Sequence, residues 1–215
     1  MMGLERRATE REPRVLLIGA HSDDIEIGCG ATVLRLVEEH PDVTIQWVVF
    51  GCTEERAAEA RASAADFMAD ARTWAVETHA FPDARFPSRW SEIKDRMQEL
   101  AGFEPDVVLT HARHDLHQDH RVLAELTWNA FRREMVLEYE VPKYDGDLLV
   151  PNVYVPVSSS HRDRKLELLE RHFASQRGKH WFDRELFGGL MRLRGAECAA
   201  ASRYAEAFHG RKIVF

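Results

Sequence analysis

The residues able to do the most chemistry fall into two short runs. The first, "AHSDDIEIGCGAT" at 20–32, places His21, Asp23, Asp24 and Glu26 within six positions and follows them with Gly28 and Gly30. The second, "HARHDLHQDHR" at 111–121, holds His111, His114, His117 and His120, with Asp115 and Asp119 among them. Histidine nitrogen and aspartate oxygen both bind zinc, and a catalytic zinc keeps three protein ligands and an open position for water. Neighbouring residues in a tight loop point different ways. One of Asp23 and Asp24 can therefore bind metal while the other faces the open position. Two ionised carboxylates that close would repel each other, and a divalent cation beside them removes the objection. The competing reading of this run is an acidic N-cap, because Asp between a strand and a helix is common. In the second run His117 and His120 are three apart, on one face of a first helical turn. A carboxylate that orients an imidazole is a common companion of such a site. A lone His is more often a satisfied core or surface residue, but the whole set at this spacing reads as a metal site.

Where these runs sit depends on the elements around them. "RVLLIGA" at 14–20 is a continuous apolar run, as expected of a central parallel strand buried on both faces. Further strands are expected at 43–50, 74–81 and 106–111, with a proline-bearing extended edge at 148–156 and a last short strand in "RKIVF" at 211–215. Helices are expected at 31–39, 53–71, 88–101, 119–134, 161–176 and 183–202. This alternation predicts an α/β fold: a single-domain, Rossmann-like three-layer α/β/α sandwich with a mostly parallel sheet, preceded by a flexible lead-in at 1–13. Ligands of such folds bind beyond the carboxyl ends of the strands. The acidic run follows the first strand and the histidine run follows the fourth, so the two loops are expected to meet at one edge.

Bulk properties narrow the classes. A chain of 215 residues suits one domain with a sizeable core. A net charge of −7 leaves no electrostatic footprint for nucleic acid. No apolar run approaches a membrane span, and the polar first residues do not form a signal peptide. Cys29, Cys52 and Cys198 are far apart, without CxxC spacing, which fits a reducing cytoplasm. A homo-oligomer is compatible with all of this.

The two runs carry a specific resemblance. "AHSDDIEIGCGAT" resembles the AHPDDxExGxGGT signature of the PIG-L/LmbE-like zinc-dependent N-deacetylases, and "DLHQDHR" resembles that family's DxHPDHR motif. "GCTEERAAEARASAADF", "KLELLERHFASQ" and "YAEAF" are similar to further family segments, so the resemblance covers nearly the whole chain. Ser22, Gln118 and Ala31 depart from it, replacing two prolines and a glycine, and none removes a ligand. The resemblance implies that His21, Asp24 and His120 bind one Zn²⁺ and that Asp23 is the general base acting on water. It implies that His117 is the general acid and oxyanion stabiliser, oriented by Asp119, and that Arg56 contacts the substrate or the site. Arg56 is otherwise an i,i+3 partner of Glu59. Glu26 and Asp115 are expected to support the loops, His111 and His114 carry no assignable role, and Trp90 or Trp181 is a candidate for stacking on a sugar ring.

The implied activity is removal of acetyl from an N-acetylglucosamine-type conjugate, releasing acetate and a free amine, with a small-molecule substrate as the partner. Cleavage of a different amide by the same zinc chemistry is the alternative. A nucleotide-binding reading of the Gly28–Gly30 loop ranks lower. Its spacing is not GxGxxG, and His-Asp-Asp would put negative charge where a pyrophosphate belongs. A non-catalytic ligand binder is disfavoured by the presence of every acid–base residue.

Overall fold

A computed structural model of the chain describes residues 11–148 and 150–211. Seven strands form one sheet: β1 (Arg14–His21), β2 (Thr44–Gly51), β3 (Thr73–Thr78), β4 (Val107–His111), β5 (Met135–Tyr139), β6 (Val153–Val157) and β7 (Tyr204–Gly210). Their order is β3-β2-β1-β4-β5-β7-β6. The first five pair in parallel, and β7 runs antiparallel between β5 and β6. Helices α1 (Asp24–Glu39), α2 (Glu54–Phe67), α5 (Ser159–His172) and α6 (Arg184–Glu197) cover one face, and α3 (Trp90–Leu100) and α4 (Gln118–Ala130) cover the other. This is the expected sandwich. β1 lies in its interior between β2 and β4, and Leu16, Leu17 and Ile18 have no exposed surface because helices cover both faces. The edge expected at 148–156 is β6, where Pro156 costs no interior ladder bond. Among the described residues no helix is long and apolar enough to cross a membrane.

Three elements differ from expectation. The helix predicted to reach 134 stops at Ala130, and "MVLEY" forms β5. No Gly or Pro stands in front of that strand to announce a turn, and the break is made instead by burying Phe131 completely. The helix predicted to reach 202 stops at Glu197, and the chain returns as β7. Gly195 permits that return, since a Cβ there would meet the Arg203 carbonyl oxygen at 2.1 Å. Of "RKIVF", 212–215 lie outside the described residues, as do 1–10 of the lead-in. Arg11, within the lead-in, donates to the Asp106 carboxylate.

α1 differs most. It begins at Asp24, directly after the acidic corner, and is broken at Cys29, whose φ of −145° and ψ of 16° are not helical. The polar groups freed by the break are taken up by a buried ion pair. Lys165 Nζ donates to the Ile27 carbonyl at 2.6 Å and to Glu206 Oε1 at 2.6 Å. Glu206 accepts in turn from the backbone N–H groups of Ala31 and Thr32 at 3.0 and 2.6 Å, capping the second half of the helix. Gly28 lies so close to Tyr139 that a Cβ would meet the ring at 2.2 Å. That glycine lets α1 press onto the sheet, so the feature behind the nucleotide-binding reading is a packing contact.

Candidate active site

β1 ends at His21 and α1 starts at Asp24, so Ser22 and Asp23 form the corner between them. β4 ends at His111, and a short loop leads to His117, the N-cap of α4. β1 and β4 are hydrogen-bonded neighbours. Both loops therefore meet at the carboxyl edge, and His21, Asp23, Asp24, His117, Asp119 and His120 come together there.

The closest grouping is a triangle. His21 Nδ1 lies 3.3 Å from Asp24 Oδ2 and 3.3 Å from His120 Nε2, and His120 Nε2 lies 3.4 Å from Asp24 Oδ2. Zinc bonds of about 2.0–2.2 Å at tetrahedral angles put neighbouring ligand atoms about 3.3–3.6 Å apart. The donor set fits such an ion in size and in chemistry. The far side of each imidazole explains why. His120 Nδ1 is 2.8 Å from Asp115 Oδ2. His21 Nε2 is 3.0 Å from Asp83 Oδ1 and 3.4 Å from Asp119 Oδ2. In the tautomer that donates an N–H to each carboxylate, the opposite nitrogen faces the triangle and is the one that would bind an ion. Asp24 is anchored by the His21 backbone N–H at 2.6 Å. Burial opposes its charge, yet His120, His111 and His21 together hold its carboxyl well below the usual range.

Three overlapping groups also bring metal-binding atoms together: His21, Asp83, His117 and Asp119; Asp24, His111 and His120; and His21, His117 and His120, where the His117 Nδ1 lone pair is taken by the Asp119 N–H. Their proton arrangement suits them less. His111 Nε2 accepts the Ala20 backbone N–H at 2.9 Å, so its lone pair is taken. Burial, with His120 beside it, lowers His111 to about 4, and its ring stacks on His120 with centroids 3.8 Å apart. It forms a wall of the site. In the first group His21 would have to give up the Nε2 proton that Asp83 and Asp119 accept.

Asp23 is buried, and Arg56 Nη2 donates to its Oδ1 at 2.7 Å. Its Oδ2 has no partner among the described residues. Burial pushes this carboxyl up, and the Arg56 guanidinium pulls it back. Arg56, expected to contact the substrate or the site or else to pair with Glu59, is bound at the site to Asp23 and Ser22. Glu59 bonds Ser175. The expectation that Asp119 orients His117 is corrected. The Asp119 carboxylate faces His21 and accepts the backbone N–H groups of Ala84 at 2.7 Å and Phe86 at 3.1 Å. His117 is held by the backbone: its Nδ1 accepts the Asp119 N–H at 3.3 Å, which puts its proton on Nε2.

Asp115 supports the loop as expected, on His120, and also accepts from the His117 N–H at 2.8 Å and from Lys143 at 2.9 Å. Glu26 supports no loop. It is fully buried beside Ser63, and burial holds its carboxyl well above the usual range. His114 is exposed. Trp90 lies under Lys94 at the start of α3, and Trp181 packs edge-on against Tyr144, 6.4 Å between centroids. The sequence reading missed Asp83 and Lys143. Asp83 arrives because the next residue, Ala84, takes a left-handed φ of 61° and gives its N–H to Asp119, which no residue type signals.

Residues 16–131, more than half of the chain and containing both runs, match the family described as PIG-L, GlcNAc-PI de-N-acetylase. The chain belongs to the PIG-L family. It is 26% identical over 170 residues to the uncharacterized deacetylase YaiS of Escherichia coli K12, across 74% of this chain and 89% of that protein. The N,N'-diacetylchitobiose deacetylase of Pyrococcus horikoshii superposes with a TM-score of 0.70 at 20% identity, across 92% of this chain and 83% of that one. GalB, the 4-carboxy-2-hydroxymuconate hydratase of Pseudomonas putida KT2440, superposes at 0.74 with 17% identity, across 94% and 98%. Those two likenesses concern the fold. Family membership and the His/Asp cluster together make this PIG-L protein a metal-dependent hydrolase of the N-deacetylase kind.

Proposed function

We propose that the protein removes the acetyl group from an N-acetylated amino-sugar conjugate, with zinc held by His21, Asp24 and His120. The observation that carries this reading is the triangle of His21 Nδ1, Asp24 Oδ2 and His120 Nε2 at 3.3–3.4 Å, beside an Asp23 Oδ2 without a partner among the described residues. Zinc in that triangle would supply a Lewis acid that eases deprotonation of water and polarises the amide carbonyl.

The chain's own groups do the rest. Asp23 Oδ2 takes a proton from the attacking water while Oδ1 stays on Arg56. His117 Nε2 donates to the developing oxyanion and then to the leaving nitrogen, because an amine leaves poorly unless protonated. Water adds to the carbonyl, the C–N bond breaks, and acetate and a free amine result. Asp119 and Asp83 hold the proton on His21 Nε2, and Asp115 holds the one on His120 Nδ1. Arg56, through its remaining donors, is the substrate contact.

The amino sugar is suggested by the family's description and by the chitobiose deacetylase. The hydratase with the same fold shows why it has to be tested. The cytoplasm is the compartment we propose, since Cys29, Cys52 and Cys198 are all free thiols. An acetate-release screen with zinc supplied, across N-acetylglucosamine conjugates and non-sugar acetamides, decides the substrate. Release from the sugar conjugates alone is expected. Release from acetamides alone would replace the amino sugar with another amide.

A further inference from the structure

Ser22 stands where the family motif has proline, and no step above uses it. It is fully buried at the β1–α1 corner. Its Oγ accepts from Arg56 Nε at 2.9 Å, and the same guanidinium gives Nη2 to Asp23 Oδ1 at 2.7 Å. A guanidinium is a planar, rigid fork, so a partner on Nε fixes where Nη2 points. The fork is delivered by the first turn of α2, where Thr53 caps the helix by accepting the Arg56 backbone N–H at 3.3 Å. With Oδ1 anchored, Asp23 has its other oxygen, Oδ2, set in one place without a partner among the described residues. Proline at position 22 would offer no side-chain acceptor and could not complete this chain of contacts.

We propose that Ser22 is a positioning residue whose hydroxyl aims Arg56, so that Arg56 holds Asp23 with one oxygen free for the proton of the attacking water. The proposal rests on the reading of Asp23 as base. It assigns Arg56 a double duty, with Nε and one Nη2 proton committed inside the protein and its remaining protons left for substrate. It also explains the departure from the motif: this chain aligns its base by a hydrogen bond through a side chain that the motif lacks.

The test is a double-mutant cycle on the zinc-loaded enzyme, reading acetate release from 4-nitrophenyl N-acetyl-β-glucosaminide together with the Arg56 Nε–H signal in ¹⁵N NMR. Ser22→Ala is expected to lower kcat about ten- to hundredfold, as for loss of a hydrogen bond to a charged group, with KM and zinc content little changed. Ser22→Thr should restore most of kcat. In an Arg56→Ala background Ser22→Ala should have no further effect, because the hydroxyl acts only through the guanidinium. The Nε–H signal should be protected from exchange in the native protein and should shift and lose protection in Ser22→Ala. An unchanged kcat in Ser22→Ala, effects that multiply across the two backgrounds, or an Nε–H signal indifferent to Ser22→Ala would each overturn the proposal. If Asp23→Asn keeps full turnover, or the glucosaminide is not cleaved, the reading of the base or substrate fails. The NMR arm still decides whether Ser22 sets Arg56.

Discussion

Two buried polar clusters flank the same helix, and they are finished to different degrees. At the break in α1, Lys165 and Glu206 meet each other and the groups freed at Ile27, Ala31 and Thr32. At the start of α1, one Asp23 oxygen has no partner among the described residues, and His21 Nδ1, Asp24 Oδ2 and His120 Nε2 lie 3.3–3.4 Å from one another. Buried polar groups in folded proteins are nearly always paired. The cluster at the break therefore closes on itself, and the one at the corner has the donor set to hold a divalent ion. The contrast separates two kinds of buried charge that look alike in a sequence.

The sharpest way to break this comparison is to disturb each cluster and see which property fails. Asp23→Asn is expected to lower kcat by about 10²–10⁴-fold while thermal stability and bound zinc stay near native values, read by acetate release, calorimetry and metal analysis. Lys165→Met should do the reverse in kind. Removing one partner of a buried pair typically costs about 3–5 kcal/mol, so denaturant unfolding should show a loss of that order. The fraction that remains folded should retain its zinc. A Lys165→Met protein of native stability would mean that the pair does not splint the helix.

A smaller effect tests the edge of the functional cluster. Asp115→Asn should weaken zinc binding about 10–100-fold by releasing His120 Nδ1, with the fold unchanged, as measured by competition with a chelator. Zinc added to the native protein should itself raise stability, by about 2.7 kcal/mol at a hundred times its dissociation constant. It should do so far less in His120→Ala. A stabilisation that survives loss of His120 would move the metal away from the triangle.

Much of the functional cluster was legible because its residue types are unusual and the fold rule places them. His and Asp after the first and fourth strands of a parallel sheet must share an edge. What was not legible was the wiring. The Asp119 carboxylate was expected on His117, but the N-cap geometry of α4 gives His117 the Asp119 backbone N–H and leaves the carboxylate for His21. Asp83 enters through one left-handed residue, Ala84. The architectural cluster was less legible still. Lys165 and Glu206 are ordinary charged residues of a helix and a strand, and only the break at Cys29 gives them a reason to be buried. β5 was hidden because its boundary is a buried Phe131 with no turn residue to mark it.

The central claim is that His21, Asp24 and His120 form a zinc site while Asp23 beside them does not bind the ion. It is tested most directly by metal analysis of the native protein, Asp23→Asn and His120→Ala purified side by side. The account predicts about one zinc per chain in the first two and almost none in His120→Ala. Equal zinc in all three, or loss of zinc in Asp23→Asn with retention in His120→Ala, would contradict it.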